Sequence, residues 1–162
     1  ELDLFEAFRK HEGDPRIPEV AADMAKELGD GNKKPEILPK LAQYELTEAD
    51  LALVGFSQGT MMALHVGLRR TRTVASIVGY SGMLTGAADL RHAAGERPPV
   101  LLIHGSHDPV VPIAALHAAE SELKRLGVEV ATHVSNGLAH SVDPVGLKLG
   151  QEFVVKGFGL ST

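Results

Sequence analysis

Four short apolar runs punctuate the chain: Leu51–Phe56, Val74–Tyr80, Pro99–His104 and Val128–Val134. They are continuous rather than alternating, which is how strands buried on both faces of a parallel sheet read. The run "VLLIHG" is the clearest. Between them lie stretches with helical spacing. Thr60–Arg70 places Met61, Ala63, Leu64 and Leu68 on one side and ends in two arginines, which suit the negative end of a helix. Ile113–Leu126 carries Ala114, Leu116, Ala118, Leu123 and Leu126, and Gly127 follows as a stop. Val145–Phe158 reads as a closing helix with Leu147, Leu149, Phe153 and Val154 inward. Strand and helix alternate, so the fold class is α/β, with a mostly parallel sheet covered by helices on both faces.

Residues 1–50 have another texture. "ELDLFEAFRKHEG", "PRIPEVAADMAKELG" and "KPEILPKLAQYEL" read as short amphipathic helices broken by Pro and Gly, with no buried strand among them. The change near Asp50 is a change of element type without a linker. The expectation is therefore one domain over 1–162, made of a helical segment 1–50 and a core 51–162.

Composition narrows the function classes. The 162 residues are enough for one domain with a sizeable core. A net charge of −5, no cluster of lysines or arginines, and only 4% aromatic residues speak against nucleic acid and anionic membrane surfaces as partners. There is no cysteine, which removes disulfides, thiolate metal sites and thiol nucleophiles. With no apolar run near the ~20 residues of a membrane span and no signal-peptide pattern, a cytoplasmic location is expected. The chain opens on Glu1 rather than Met, as a processed or partial product would.

The chemistry gathers around "LALVGFSQG". Gly55–Gly59 matches G-x-S-x-G, where Ser57 sits on a sharp turn from strand to helix. Such a turn is strained, so the residues two before and two after must be small. The helix start then aims free N–H groups at the site, and the Gln58 N–H is placed to meet a developing oxyanion. The competing reading is a helix N-cap serine between two chance glycines. The apolar strand before the motif and the amphipathic helix after it favour the nucleophile.

A serine nucleophile needs a base, and the base needs a carboxylate to orient it. In this arrangement the chain order is Ser, then Asp or Glu, then His. Asp108 follows the strongest strand in "PVLLIHGSHDPVVP", at the edge where α/β sheets carry function. It could also be a turn former before Pro109. His140 lies in "NGLAHSVD", after the next strand and before the last helix. Of the other seven histidines, His65 and His117 fall in helices and His133 in a strand, where no function is required. His104 is expected at a strand end, bonded to backbone, and His107 as an exposed neighbour of Asp108. His104 and His107 are three apart but flank a glycine at a strand end, and no H-E-x-x-H occurs, so no metal site is expected.

On these motifs, "LALVGFSQGTMMALHVGLRR", "IVGYSGML", "PVLLIHGSHDPVVP" and "GLAHSVDPVGL", the chain resembles the α/β-hydrolase superfamily. More narrowly, it is similar to the phospholipase/carboxylesterase family, which includes acyl-protein thioesterases. The resemblance covers Leu51 to about Leu149. It implies Ser57 as nucleophile, Asp108 as acid, His140 as base and Gln58 as backbone oxyanion donor, and needs no cofactor. Ala139 departs from the glycine that such proteins often carry before the histidine. Relatives begin with further strands and an early His-Gly loop that supplies a second oxyanion donor. Residues 1–50 contain no His-Gly pair, and Glu1 to about Asn32 resembles no part of the family. About four strands of a partial hydrolase fold are thus expected, with the first strands missing and a sheet edge open. The first helices or a second copy of the chain, as a homodimer, could cover that edge.

The function so implied is cleavage of small carboxylic esters or thioesters through an acyl-enzyme. The reading from another class is a catalytically impaired remnant of the fold acting as a binding or structural module.

Overall fold

The computed structural model describes residues 37–87, 90 and 96–160. The chain divides into two compact units, Glu1–Glu48 and Ala49–Thr162. The helices expected within residues 1–29 lie outside the described residues. The third expected helix is present as α1, Ile37–Gln43.

The second unit is built on four strands, β1 (Ala52–Phe56), β2 (Ser76–Tyr80), β3 (Val100–Gly105) and β4 (Val130–Ser135). All neighbours are parallel and the order is β1-β2-β3-β4. Each apolar run of the sequence is a strand, and the α/β expectation holds. Three helices follow: α2 (Gln58–Gly67), α3 (Ala114–Arg125) and α4 (Pro144–Gly157). Leu53, Ile77 and Gly79 face α2, because a Cβ built on Gly67 meets Leu53 and Ile77 and one on Gly79 meets Thr60. Val78 and Tyr80 point the other way, against Gly150 of α4. Helices therefore cover both faces. Among the described residues, no helix is long and apolar enough to cross a membrane.

Burial follows position in the sheet. β3 has two neighbours and is buried at all six positions, as its unbroken apolar run requires. β4 pairs only with β3 and is mostly half-exposed, so the expectation of a buried strand at Val128–Val134 is corrected. An outermost strand loses the cover that a second neighbour would provide.

The helix faces also differ from expectation. α4 buries Gly146, Gly150 and Val154, while Leu147, Leu149 and Phe153 are half-buried. The backbone of α4 lies so close to the sheet that the Tyr80 ring occupies the space a side chain at position 150 would need. The Tyr80 hydroxyl donates to the Gly146 carbonyl at 3.3 Å, and burial pushes its pKa far up. In α3 the buried stripe is Leu116, Ala119 and Leu123, and Ala118 is exposed. Gly127, at φ 74°, stops α3 as expected, and the next N–H, that of Val128, bonds back to Leu123. α2 begins two residues before the expected Thr60, because the turn at Ser57 runs straight into it.

Parallel pairing aligns Phe56, Tyr80, Ile103 and His133 in one row. The segments that leave β1, β3 and β4 beyond this row carry Ser57, Asp108 and His140.

Candidate active site

Ser57 follows β1 at φ 54° and ψ −115°, a left-handed conformation that costs a non-glycine residue about 1–3 kcal/mol. An N-cap residue has an extended backbone and a side-chain oxygen that accepts from the helix. Ser57 has neither, making no side-chain cap hydrogen bond. Ser57 thus holds the N-cap position of α2 without capping it through its side chain. The Ser57 N–H instead donates to the Tyr80 carbonyl at 2.8 Å, and its carbonyl accepts from Thr60 N at 3.1 Å. Gln58 opens α2, so its N–H belongs to the first turn and has no carbonyl within the helix to bond.

The two glycines of the motif are not equivalent. A Cβ on Gly55 would overlap the backbone of Gly59 and Thr60, whereas a Cβ on Gly59 would meet nothing within 4 Å. The expectation that both positions must be small holds for Gly55 and is corrected for Gly59. The turn folds back onto the strand side only.

Asp108 and His140 are brought together by two loops laced to each other. Ser106 N donates to the Ser135 carbonyl at 3.0 Å, and His107 N to the Leu138 carbonyl at 3.0 Å. Gly137 N donates to Ser106 Oγ at 2.8 Å. A Cβ on Gly105 would overlap the Leu138 and Ala139 carbonyl oxygens, so the loops approach closely only because that residue is glycine. At the end of this lacing, His140 Nδ1 lies 2.7 Å from Asp108 Oδ2. Asp108 Oδ1 accepts from Val110 N and Val111 N, both at 2.9 Å.

These bonds set the electrostatics. Burial alone would push the Asp108 carboxyl up. The hydrogen bond from His140, those from Val111 and Val110, and the His140 charge together outweigh it, and its pKa falls to about 2. Asp108 is thus a carboxylate at neutral pH and can only accept. His140 Nδ1 must then carry the proton, which leaves Nε2 as the ring's basic nitrogen.

Three neighbours were not legible as site residues in the sequence. Phe56, the residue before Ser57, packs its ring on His140 with centroids 4.8 Å apart and planes tilted by 50°. This contact sets the imidazole beside the end of β1. His104 is buried, with Nε2 2.8 Å from the Val111 carbonyl and 3.5 Å from Asp108 Oδ2. The backbone bond is as expected; the proximity to Asp108 is an additional finding. Thr60 bonds into the Ser57 turn. Neither Phe56 nor Thr60 carries a sequence signal beyond apolarity or helical position. His107 is exposed and pairs with Ser106 Oγ at 2.8 Å, so His104 and His107 serve different partners. Among the described residues, no three His, Asp or Glu side chains gather as metal ligands.

Comparison with known proteins places this geometry in a family. The sequence profile of the phospholipase/carboxylesterase family matches residues 17–157. It reaches back beyond Leu51, so residues 17–32 do have a counterpart in the family, contrary to expectation. Acyl-protein thioesterase 1 of Gibberella zeae is 35% identical over 111 residues, which cover 65% of this chain and 47% of that protein. Esterase YpfH of Escherichia coli is 32% identical over 92 residues, covering 57% and 38%. The chain thus spans about half the length of the curated relatives it matches. The crystal structure of esterase PE8 superposes with a TM-score of 0.70 at 36% identity, over 91% of this chain and 67% of that one. Arabidopsis thaliana SOBER1 shares the fold at a TM-score of 0.69 and 24% identity. The left-handed serine turn, the parallel sheet and these matches agree: the chain belongs to the phospholipase/carboxylesterase family of the α/β-hydrolase superfamily.

Proposed function

We propose that this chain carries the Ser57–His140–Asp108 triad of a cytoplasmic serine hydrolase acting on small carboxylic esters or thioesters. Ser57 Oγ adds to the acyl carbonyl while His140 Nε2 takes its proton. The oxyanion that forms is met by the Gln58 N–H. As the C–O or C–S bond breaks, the alcohol or thiol leaves with the proton from His140. A water then adds to the acyl-Ser57 ester, giving its proton to His140. The carboxylic acid departs, and Ser57 recovers its proton from the same nitrogen. Asp108 remains ionised throughout, holding the imidazole in the tautomer that exposes Nε2 and stabilising the transient imidazolium.

The observation that carries this reading is the 2.7 Å bond from His140 Nδ1 to Asp108, made by residues 32 apart in sequence. A fluorophosphonate probe tests it. Stoichiometric labelling that disappears in Ser57→Ala is the expected result. Folded wild-type protein that takes up no probe would instead be a hydrolase-fold binding module.

A further inference from the structure

The strain at Ser57 persists only if its surroundings over-determine the backbone. Thr60, whose N–H already bonds the Ser57 carbonyl, adds side-chain bonds that reach beyond the turn. It is buried to 1% exposure, and its Oγ1 lies 2.8 Å from both the Gly55 carbonyl and the Tyr80 carbonyl. The hydroxyl has one proton, and both acceptors share it. Each carbonyl matters to the turn. Gly55 lies two residues before Ser57, next to last in β1. The Tyr80 oxygen is the same atom that accepts the Ser57 N–H. One hydroxyl therefore ties the end of β1 to β2 at the point where β2 holds the serine.

The space around Thr60 is shaped for it. A Cβ on Gly79 would collide with Thr60 Cγ2, and one on Gly82 with Thr60 Cβ. The methyl fits against β2 while the hydroxyl is left facing the two carbonyls. Valine fills the same volume and cannot donate; serine donates and lacks the methyl.

We propose that Thr60 is a positioning residue for the nucleophile, its hydroxyl holding the Ser57 turn in the geometry that presents Oγ for acylation. This rests on the assignment of Ser57 as nucleophile. The experiment compares wild type, Thr60→Val, Thr60→Ser and Ser57→Ala, each checked for native circular dichroism. The readouts are the rate of fluorophosphonate labelling and the kcat and KM for p-nitrophenyl acetate. Thr60→Val should label about tenfold more slowly and lose kcat by the same factor, with KM within about twofold. Thr60→Ser should stay within about threefold of wild type. If Thr60→Val does not fold, Thr60→Ala takes its place, removing the same hydroxyl with no added bulk.

Full-speed labelling of the hydroxyl-less variant overturns the proposal. So does a Thr60→Ser variant as slow as Thr60→Val, since the methyl rather than the hydroxyl would then be at work. In either case Ser57→Ala remains unlabelled, and the nucleophile assignment stands. Wild type that never labels refutes that assignment, and the role of Thr60 with it.

Discussion

Replacing each motif glycine with alanine separates the two physical demands that G-x-S-x-G combines. At position 55 the new Cβ would lie closer than 3.0 Å to Gly59 C, Gly59 O and Thr60 N, all of them backbone atoms. No rotamer can relieve that overlap, so β1 and the first turn of α2 must separate. Overpacking a rigid site costs about 1–3 kcal/mol, and a clash with main chain belongs at the upper end or beyond. At position 59 the Cβ would enter open space, inside a helix where glycine is the poorer residue. Gly→Ala at a compatible position stabilises by about 0.4–1 kcal/mol. The two variants should therefore lie on opposite sides of wild type and differ by about 4 kcal/mol. Urea denaturation followed by circular dichroism measures this difference, and the labelling rate gives its functional counterpart. Gly55→Ala should also lose labelling, because the displaced backbone is the one that presents Ser57. Equal stabilities for the two variants, or a Gly59→Ala less stable than Gly55→Ala, would refute the one-sided turn described above.

Acid provides a second test. The Asp108 carboxyl titrates near 2 in the folded chain, against an ordinary 3.8. A group whose folded pKa is depressed adds stability at pH values above its unfolded pKa and loses it as pH falls. Its contribution, about 2 kcal/mol, should be present above pH ~4 and vanish by pH ~2. In Asp108→Asn the drop in urea midpoint across that window should be smaller, and turnover at neutral pH should fall on the order of ten-thousandfold. An unchanged acid profile would mean the bonds to Asp108 are not formed in solution. Phe56→Leu should keep the fold and lower kcat by about 2- to 10-fold, the worth of one aromatic pair; steady-state kinetics with an activity as high as wild type would dismiss the ring contact as incidental.

The strands, the fold class and the candidate triad were legible from the order of residues along the chain. Continuous apolar runs are a strong signal for central strands, because burial on both faces leaves no polar position. β3 is buried at every residue, His104 being its one polar side chain and bonded to the Val111 carbonyl. The candidate triad was legible because its spacing is a matter of chain order. Ser57, Asp108 and His140 each follow a strand, and parallel strands bring all such segments to one edge. What required tertiary structure is whatever depends on distance between segments remote in sequence. Periodicity put large side chains on the inner face of α4, yet the buried stripe there is two glycines and a valine, because Tyr80 from β2 fills the gap. The five-residue motif treats Gly55 and Gly59 alike, and only the direction of the turn tells them apart. Thr60 reads as an ordinary helix residue until two carbonyls, five and twenty residues away, appear within reach of its hydroxyl. A local pattern records which residues an element can hold, while the partner that each side chain meets is decided by how the strands are set beside one another.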